Sequence, residues 1–136
     1  MKLAAHTDRI RAAGRKALVP YFTAGYPDDA TFLDLLATAA DTGCEVVEIG
    51  VPFSDPVADG PVIQQTGHAA LAAGVTLRRT LELAAAHHAT HGTALVIMSY
   101  LNPILTMGVD AFADAAAADG VSGVILPDVP HEESAP

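Results

Sequence analysis

Tryptophan is absent from these 136 residues, and aromatic side chains of any kind make up 5% of them. Cysteine occurs once, at Cys44, so no disulfide can form within the chain. A reducing, cytoplasmic setting is expected from that. Cationic side chains are scarce too. Seven Lys and Arg stand against 16 Asp and Glu, a net charge of -9. A surface of that sign repels phosphate backbones and argues against a nucleic-acid partner. No apolar run approaches the roughly 20 residues of a membrane span. The opening MKLAAHTDRIRAAGRK lacks the uninterrupted apolar core of a secretory signal. A phosphate loop of the GxxxxGK type is missing as well.

What is present is a globular composition, 51% hydrophobic, on a chain long enough for one domain with a sizeable core. Four short apolar runs bounded by turn residues predict strands: ALVPYF (17–22), CEVVEIG (44–50), TALVIMS (93–99) and VSGVILP (121–127). They are near-continuous rather than alternating, the pattern of parallel strands buried on both faces. Helical patterns separate them. LAAHTDRIRAAG precedes the first strand and stops at Gly14. DDATFLDLLATAADTG carries an Asp cap and stops at Gly43. PVIQQTGHAALAAG opens on Pro61 and TLRRTLELAAAHHATHG is capped by Thr76; VDAFADAAAADG stops at Gly120.

The order αβαβααβαβ predicts an α/β fold with a parallel sheet and no internal domain boundary across 1–136. Pattern alone leaves open a portion of a (β/α)8 barrel and a doubly wound sheet. The chain stops after a strand and a loop, at HEESAP, with no helix to follow, which reads as a fragment. Cys44, at the start of an apolar strand, reads as a buried, inert thiol.

Two carboxylates stand out in EVVEIGVPFSDPVADGP, residues 45–61. Glu48 sits among Val46, Val47, Ile49 and Val51. An ionised carboxylate there costs several kcal/mol unless it is paired or hydrogen-bonded. A solvated strand edge or a buried cation would explain it, yet no Lys or Arg occurs between Lys16 and Arg78. The end of a parallel strand is also where barrel enzymes place catalytic groups. Downstream, Asp55 reads as a turn former and Asp59 as a helix cap worth roughly 1 kcal/mol. Nothing in the residues chooses between those two for chemistry.

EIGVPFSDPVADGP resembles the hallmark segment of the tryptophan synthase alpha subunit family. PYFTAGYPD (20–28), QQTGHAALAAGVT (64–76), SYLNPI (99–104) and GVILPDVPHEESAP (123–136) extend the likeness to essentially everything from about residue 15. The resemblance implies a TIM (β/α)8 barrel, here about its first four β/α units plus an N-terminal helix. It implies a carbon–carbon lyase of tryptophan biosynthesis that splits indole-3-glycerol phosphate into indole and glyceraldehyde 3-phosphate, with no metal or cofactor.

The family's catalytic Glu falls on Glu48 and its catalytic Asp on Asp59. The substrate-lining positions fall on Tyr21, Met98, Tyr100 and Ile125. The face toward a beta subunit, in an alpha2beta2 heterotetramer, falls on Pro52, Asp55, Asn102 and Pro103. Both carboxylates are expected to face one cavity. The phosphate grip of such barrels lies after strands seven and eight, so the 136-residue chain alone is expected to lack turnover and to self-associate. A non-catalytic half-barrel that docks a partner, or another barrel aldolase or isomerase, is the competing reading.

His87 and His91 in HHATHG share a helical face at i, i+4 spacing. Without a carboxylate in the motif, they read as a solvated helix end, favourable to His near the C-terminal dipole, rather than as metal ligands. Arg78 and Arg79 read as a solvated helix face.

Overall fold

The computed structural model describes residues 3–133; Ser134–Pro136, the end of the HEESAP tail, lie outside the described residues. Helix α1 (Leu3–Ala12) precedes strand β1 (Tyr21–Thr23). Helix α2 (Asp29–Asp41), strand β2 (Val46–Gly50), helices α3 (Pro61–Ala72) and α4 (Leu77–His88) and strand β3 (Ala94–Met98) follow. Helices α5 (Leu101–Met107) and α6 (Val109–Ala118), strand β4 (Val121–Ile125) and a 3-10 turn at His131–Glu133 complete the order.

The four strands form one parallel sheet in the order β1-β2-β3-β4. Each strand lies beside its predecessor, as in a barrel wall. A doubly wound sheet would reverse its order at a switch point, and none is present among the described residues.

The two faces of the sheet are packed differently. Val47, Ile49, Leu95 and Ile97 point toward the helices and join Phe32, Leu36, Leu81 and Phe112 in the main core. Val46, Ala94 and Val96 point the other way, where Leu3 of α1 covers them. Local chemistry sets the helices in place. Asp28 caps α2, its carboxylate accepting from the Thr31 amide (2.8 Å) and hydroxyl (3.0 Å). Those bonds hold the Asp28 carboxyl below the ordinary carboxylate range. The Thr76 hydroxyl caps α4 by accepting from the Arg79 amide at 3.1 Å. Arg79 then reaches Asp29 of α2 at 2.6 Å, so it ties two helices together instead of lying on a merely solvated face.

Two readings of the elements need correction. Strand β1 spans Tyr21–Thr23 rather than 17–22; Leu18 and Val19 run exposed ahead of it. The ladder starts at the Pro20 carbonyl, which accepts from the Glu48 amide at 2.9 Å; this bond needs no proline N–H. Helix α5 went unforeseen, because seven residues with Pro103 in their first turn carry almost no periodic signal. Strand β4 stands at the edge of the sheet, as expected of a half-barrel, with Val124 and Ile125 42% and 39% exposed.

His87 is also corrected. Thr80, Ala84 and His87 recur along the inward face of α4, so His87 is buried, not solvated. Its ring stacks on His91 with centroids 4.5 Å apart, and its Nε2 has no hydrogen-bond partner. Burial first, then the neighbouring His91 and His88, lowers its pKa to about 4. The unfolded chain takes up this proton near pH 6.5 and the folded chain only near 4. The stabilisation is therefore complete above pH 6.5 and is lost as pH falls toward 4. His6, lowered mainly by burial, adds to the loss in the same direction. Urea unfolding is expected to show about 2 kcal/mol less stability at pH 5 than at pH 7 from His87 alone. His87→Leu should remove most of that slope; an unchanged slope would assign it elsewhere.

Candidate active site

The register places Tyr21, Glu48, Val96 and Gly123 in one row across the sheet and Thr23, Gly50, Met98 and Ile125 in the next. Side chains alternate along a strand, so both rows share the face opposite the main helix core. Glu48 stands in the middle of that face, half-buried on a central strand. It is on no solvated edge, and it takes part in no ion pair among the described residues. Both ordinary explanations for a strand carboxylate therefore fail. Glu48 lines a hollow of about 280 Å³ with Val46, Val96, Gly123 and Ile125.

Asp59 comes from the loop after β2, and the structure separates it from Asp55. Asp55 is exposed and accepts only from the Ser54 hydroxyl at 2.7 Å. Asp59 is half-buried against Tyr21, Thr23, Phe53 and Ile63. The capping role read from sequence is not realised, since Gly60 is the N-cap of α3 and no side chain caps it.

Two tyrosines stand beside Asp59. Tyr100 is 3% exposed; its ring stacks on Phe53 at 5.1 Å, and its Oη accepts from the Ala58 amide at 2.9 Å. Burial, and then the Asp59 carboxylate, raise its pKa above the ordinary tyrosine range. Tyr21 lies across Gly50, so close that a methyl there would overlap its phenol. Burial, then the charges of Asp59 and Glu48, push the Tyr21 phenol up to about 12, against a bond to Thr23 that lowers it. Both phenols stay protonated at neutral pH.

Glu48 and Asp59 each line a hollow, and the charges of both reach the Tyr21 phenol. Tyr21 lines the hollow of Asp59, and its ring fills the space over Gly50. Met98, half-buried, and Ile125, exposed, sit side by side at the ends of β3 and β4. Pro52 is buried and lines the hollow of Asp59. Asp55 and Asn102 are exposed; Asn102 and Pro103 line a groove of about 380 Å³ with Phe53, Leu77, Arg78 and Met107. No pattern in the residues pointed to Phe53, Thr23 or Asp128, whose carboxylate accepts from the Leu101 amide at 3.1 Å and so anchors the start of α5.

The family model described as tryptophan synthase alpha chain matches residues 7–136. The chain belongs to the tryptophan synthase alpha chain family. The tryptophan synthase alpha chain of Dechloromonas aromatica is 50% identical over 129 residues, covering 94% of this chain and 48% of that one. The one from Desulfovibrio desulfuricans is 51% identical over 132 residues, covering 95% and 52%. Among solved structures, tryptophan synthase subunit alpha from Legionella pneumophila superposes with a TM-score of 0.93 at 38% identity, covering 96% of this chain and 50% of that one. A tryptophan synthase structure from M. tuberculosis, in an aminoacrylate- and BRD0059-bound form, gives 0.92 at 42% identity, covering 97% and 53%. The chain thus spans about half the length of the relatives it matches, and its four parallel strands are part of a tryptophan synthase alpha barrel. No helix among the described residues is long and apolar enough to cross a membrane.

The largest hollow described, about 570 Å³, lies at the opposite end of the strands, against the N-terminal end of β2. Arg9 and Arg15 there are both turned onto Glu45, which neutralises much of their charge. Cys44 lines this hollow and is half-buried rather than buried.

Proposed function

We propose that this chain carries the catalytic carboxylates of a lyase that cleaves indole-3-glycerol phosphate to indole and glyceraldehyde 3-phosphate. The observation that carries the reading is Glu48: half-buried, in no ion pair among the described residues, and central on the inner face of β2. Breaking the bond between the ring and the glycerol chain needs protonation of the ring carbon, which leaves positive charge on the indole nitrogen. Glu48 delivers that proton and takes one from the glycerol hydroxyl whose carbon becomes the aldehyde. Asp59 stays ionised and stabilises the cationic ring through its N–H. A loop site beside phenols and a site on a strand give two carboxylates different environments, which lets them divide these roles.

Tyr21, Met98, Tyr100 and Ile125 form the wall against the indole. No metal or cofactor enters the chemistry. Asp55, Asn102 and Pro103, with the adjoining groove, form the face for a tryptophan synthase beta subunit in an alpha2beta2 assembly, and the setting is cytoplasmic. Pro52 is left out of that face because it is buried.

The test joins these 136 residues to the second half of the Dechloromonas aromatica relative and measures indole release from indole-3-glycerol phosphate. Release comparable to that of the relative is expected. A folded chimera that releases none while the relative does would overturn the reading.

A further inference from the structure

Asp59 is held by α3 through a side chain with no part in the proposed chemistry. The Gln64 amide nitrogen lies 2.9 Å from the Asp59 carbonyl and 3.4 Å from the Pro56 carbonyl. Both neighbours accept only, so the amide must present its two N–H groups there. The same turn contains the Asp59 amide, which donates to the Pro56 carbonyl at 3.1 Å. Gln64 therefore grips both ends of the turn that carries Asp59. The backbone N–H of Gln64 donates to the Gly60 carbonyl at 3.0 Å, so the grip is one with the first turn of α3.

Helix α3 is itself fixed to the sheet. Thr66 Oγ1 donates to the Ile63 carbonyl at 3.0 Å, which uses its only proton. It must then accept from Thr23 Oγ1, 2.7 Å away at the end of β1. From the other side, the Tyr100 Oη takes the Ala58 amide. The backbone of Asp59 is thus held from β1 through Thr66 and Gln64, and from the start of α5 through Tyr100.

We infer that Gln64 is the positioning residue for Asp59: its two hydrogen bonds fix the turn at residues 56–59 and so set where the Asp59 carboxylate stands. Its importance for turnover rests on the proposed role of Asp59, but its mechanical role does not. A displacement of about 1 Å at a reacting group costs up to 10²-fold in rate.

The test compares the parent with Gln64→Met, which keeps length and helix propensity but removes both donors, and Gln64→Lys, which restores a donor. Amide hydrogen exchange is followed at Ala58 and Asp59, with the amides of β2 and β3 as internal controls. Gln64→Met should speed exchange at Ala58 and Asp59 about tenfold and leave the controls unchanged. Gln64→Lys should recover part of the protection. In the completed chimera, Gln64→Met should lower kcat about tenfold with KM within about twofold. Unchanged exchange at Ala58 and Asp59, equal acceleration across β2 and β3, or a loosened turn with unchanged kcat would each overturn the inference. If the parent chimera proves inactive, the lyase reading falls, and the exchange data alone decide the role of Gln64.

Discussion

Glu48→Gln, introduced into the completed barrel, is expected to cut indole release by about 10²–10⁴, with the loss in kcat rather than KM. Gln matches Glu in shape and fits the same half-buried place on β2, but it carries no proton to deliver and no charge to receive one. Substrate binding should persist, because the change leaves the shape of the site intact, while the ring carbon goes unprotonated. Asp59→Asn should lose a comparable amount for a different reason. Its amide can still meet the indole N–H, but it has no charge to stabilise the cation that forms only as the bond breaks. Steady-state kinetics with matched thermal unfolding curves separate these losses from misfolding. Near-parental turnover in either variant would remove that residue from the proposed mechanism.

The second large effect is expected at Gly50. It follows Glu48 by two residues on the same face, and the Tyr21 ring rests directly on it. The backbone there is an ordinary strand, so the need for glycine comes from Tyr21 rather than from φ. Gly50→Ala places a methyl inside the phenol and forces Tyr21 from its place, at a cost of about 1–3 kcal/mol. Since Tyr21 lines the hollow of Asp59 and is within reach of the charge of Glu48, turnover should fall as well. A double-mutant cycle in urea supplies the check: in a Tyr21→Ala background the same Gly50→Ala change should cost little. An equal cost in both backgrounds would show that Tyr21 is not the obstacle.

Much of this was legible from residues alone. The central strands β2 and β3 announced themselves as apolar runs because both their faces are covered, one by helices and one by the inner row. Helices α2 and α4 were bounded by Asp28 and Thr76 and by glycines after their ends, and both caps operate as read. The position of Glu48 in an apolar run raised the question of chemistry before any family likeness did. What stayed hidden depends on three-dimensional neighbours. The inward turn of His87 depends on which face of α4 meets the core. Asp55 and Asp59 have similar sequence surroundings, and only the packing of Tyr21 and Tyr100 around one of them tells them apart. Pro52 matched a partner-facing position in the family, yet the path of the loop folds it inward.

The strand order has a consequence for how the molecule is made. Among the described strands, each of β2, β3 and β4 pairs with the one synthesised before it, so none of these pairings waits for a later segment. A growing polypeptide can add one strand and its helices at a time, each docking on a surface already formed, and closing only the loop between successive strands. Until β3 arrives, the Glu48 strand is itself an edge, with its apolar side open to other chains. The interval between synthesis of β2 and β3 should therefore be the period of greatest risk of aggregation, and it is the one bridged by two helices, α3 and α4, instead of one.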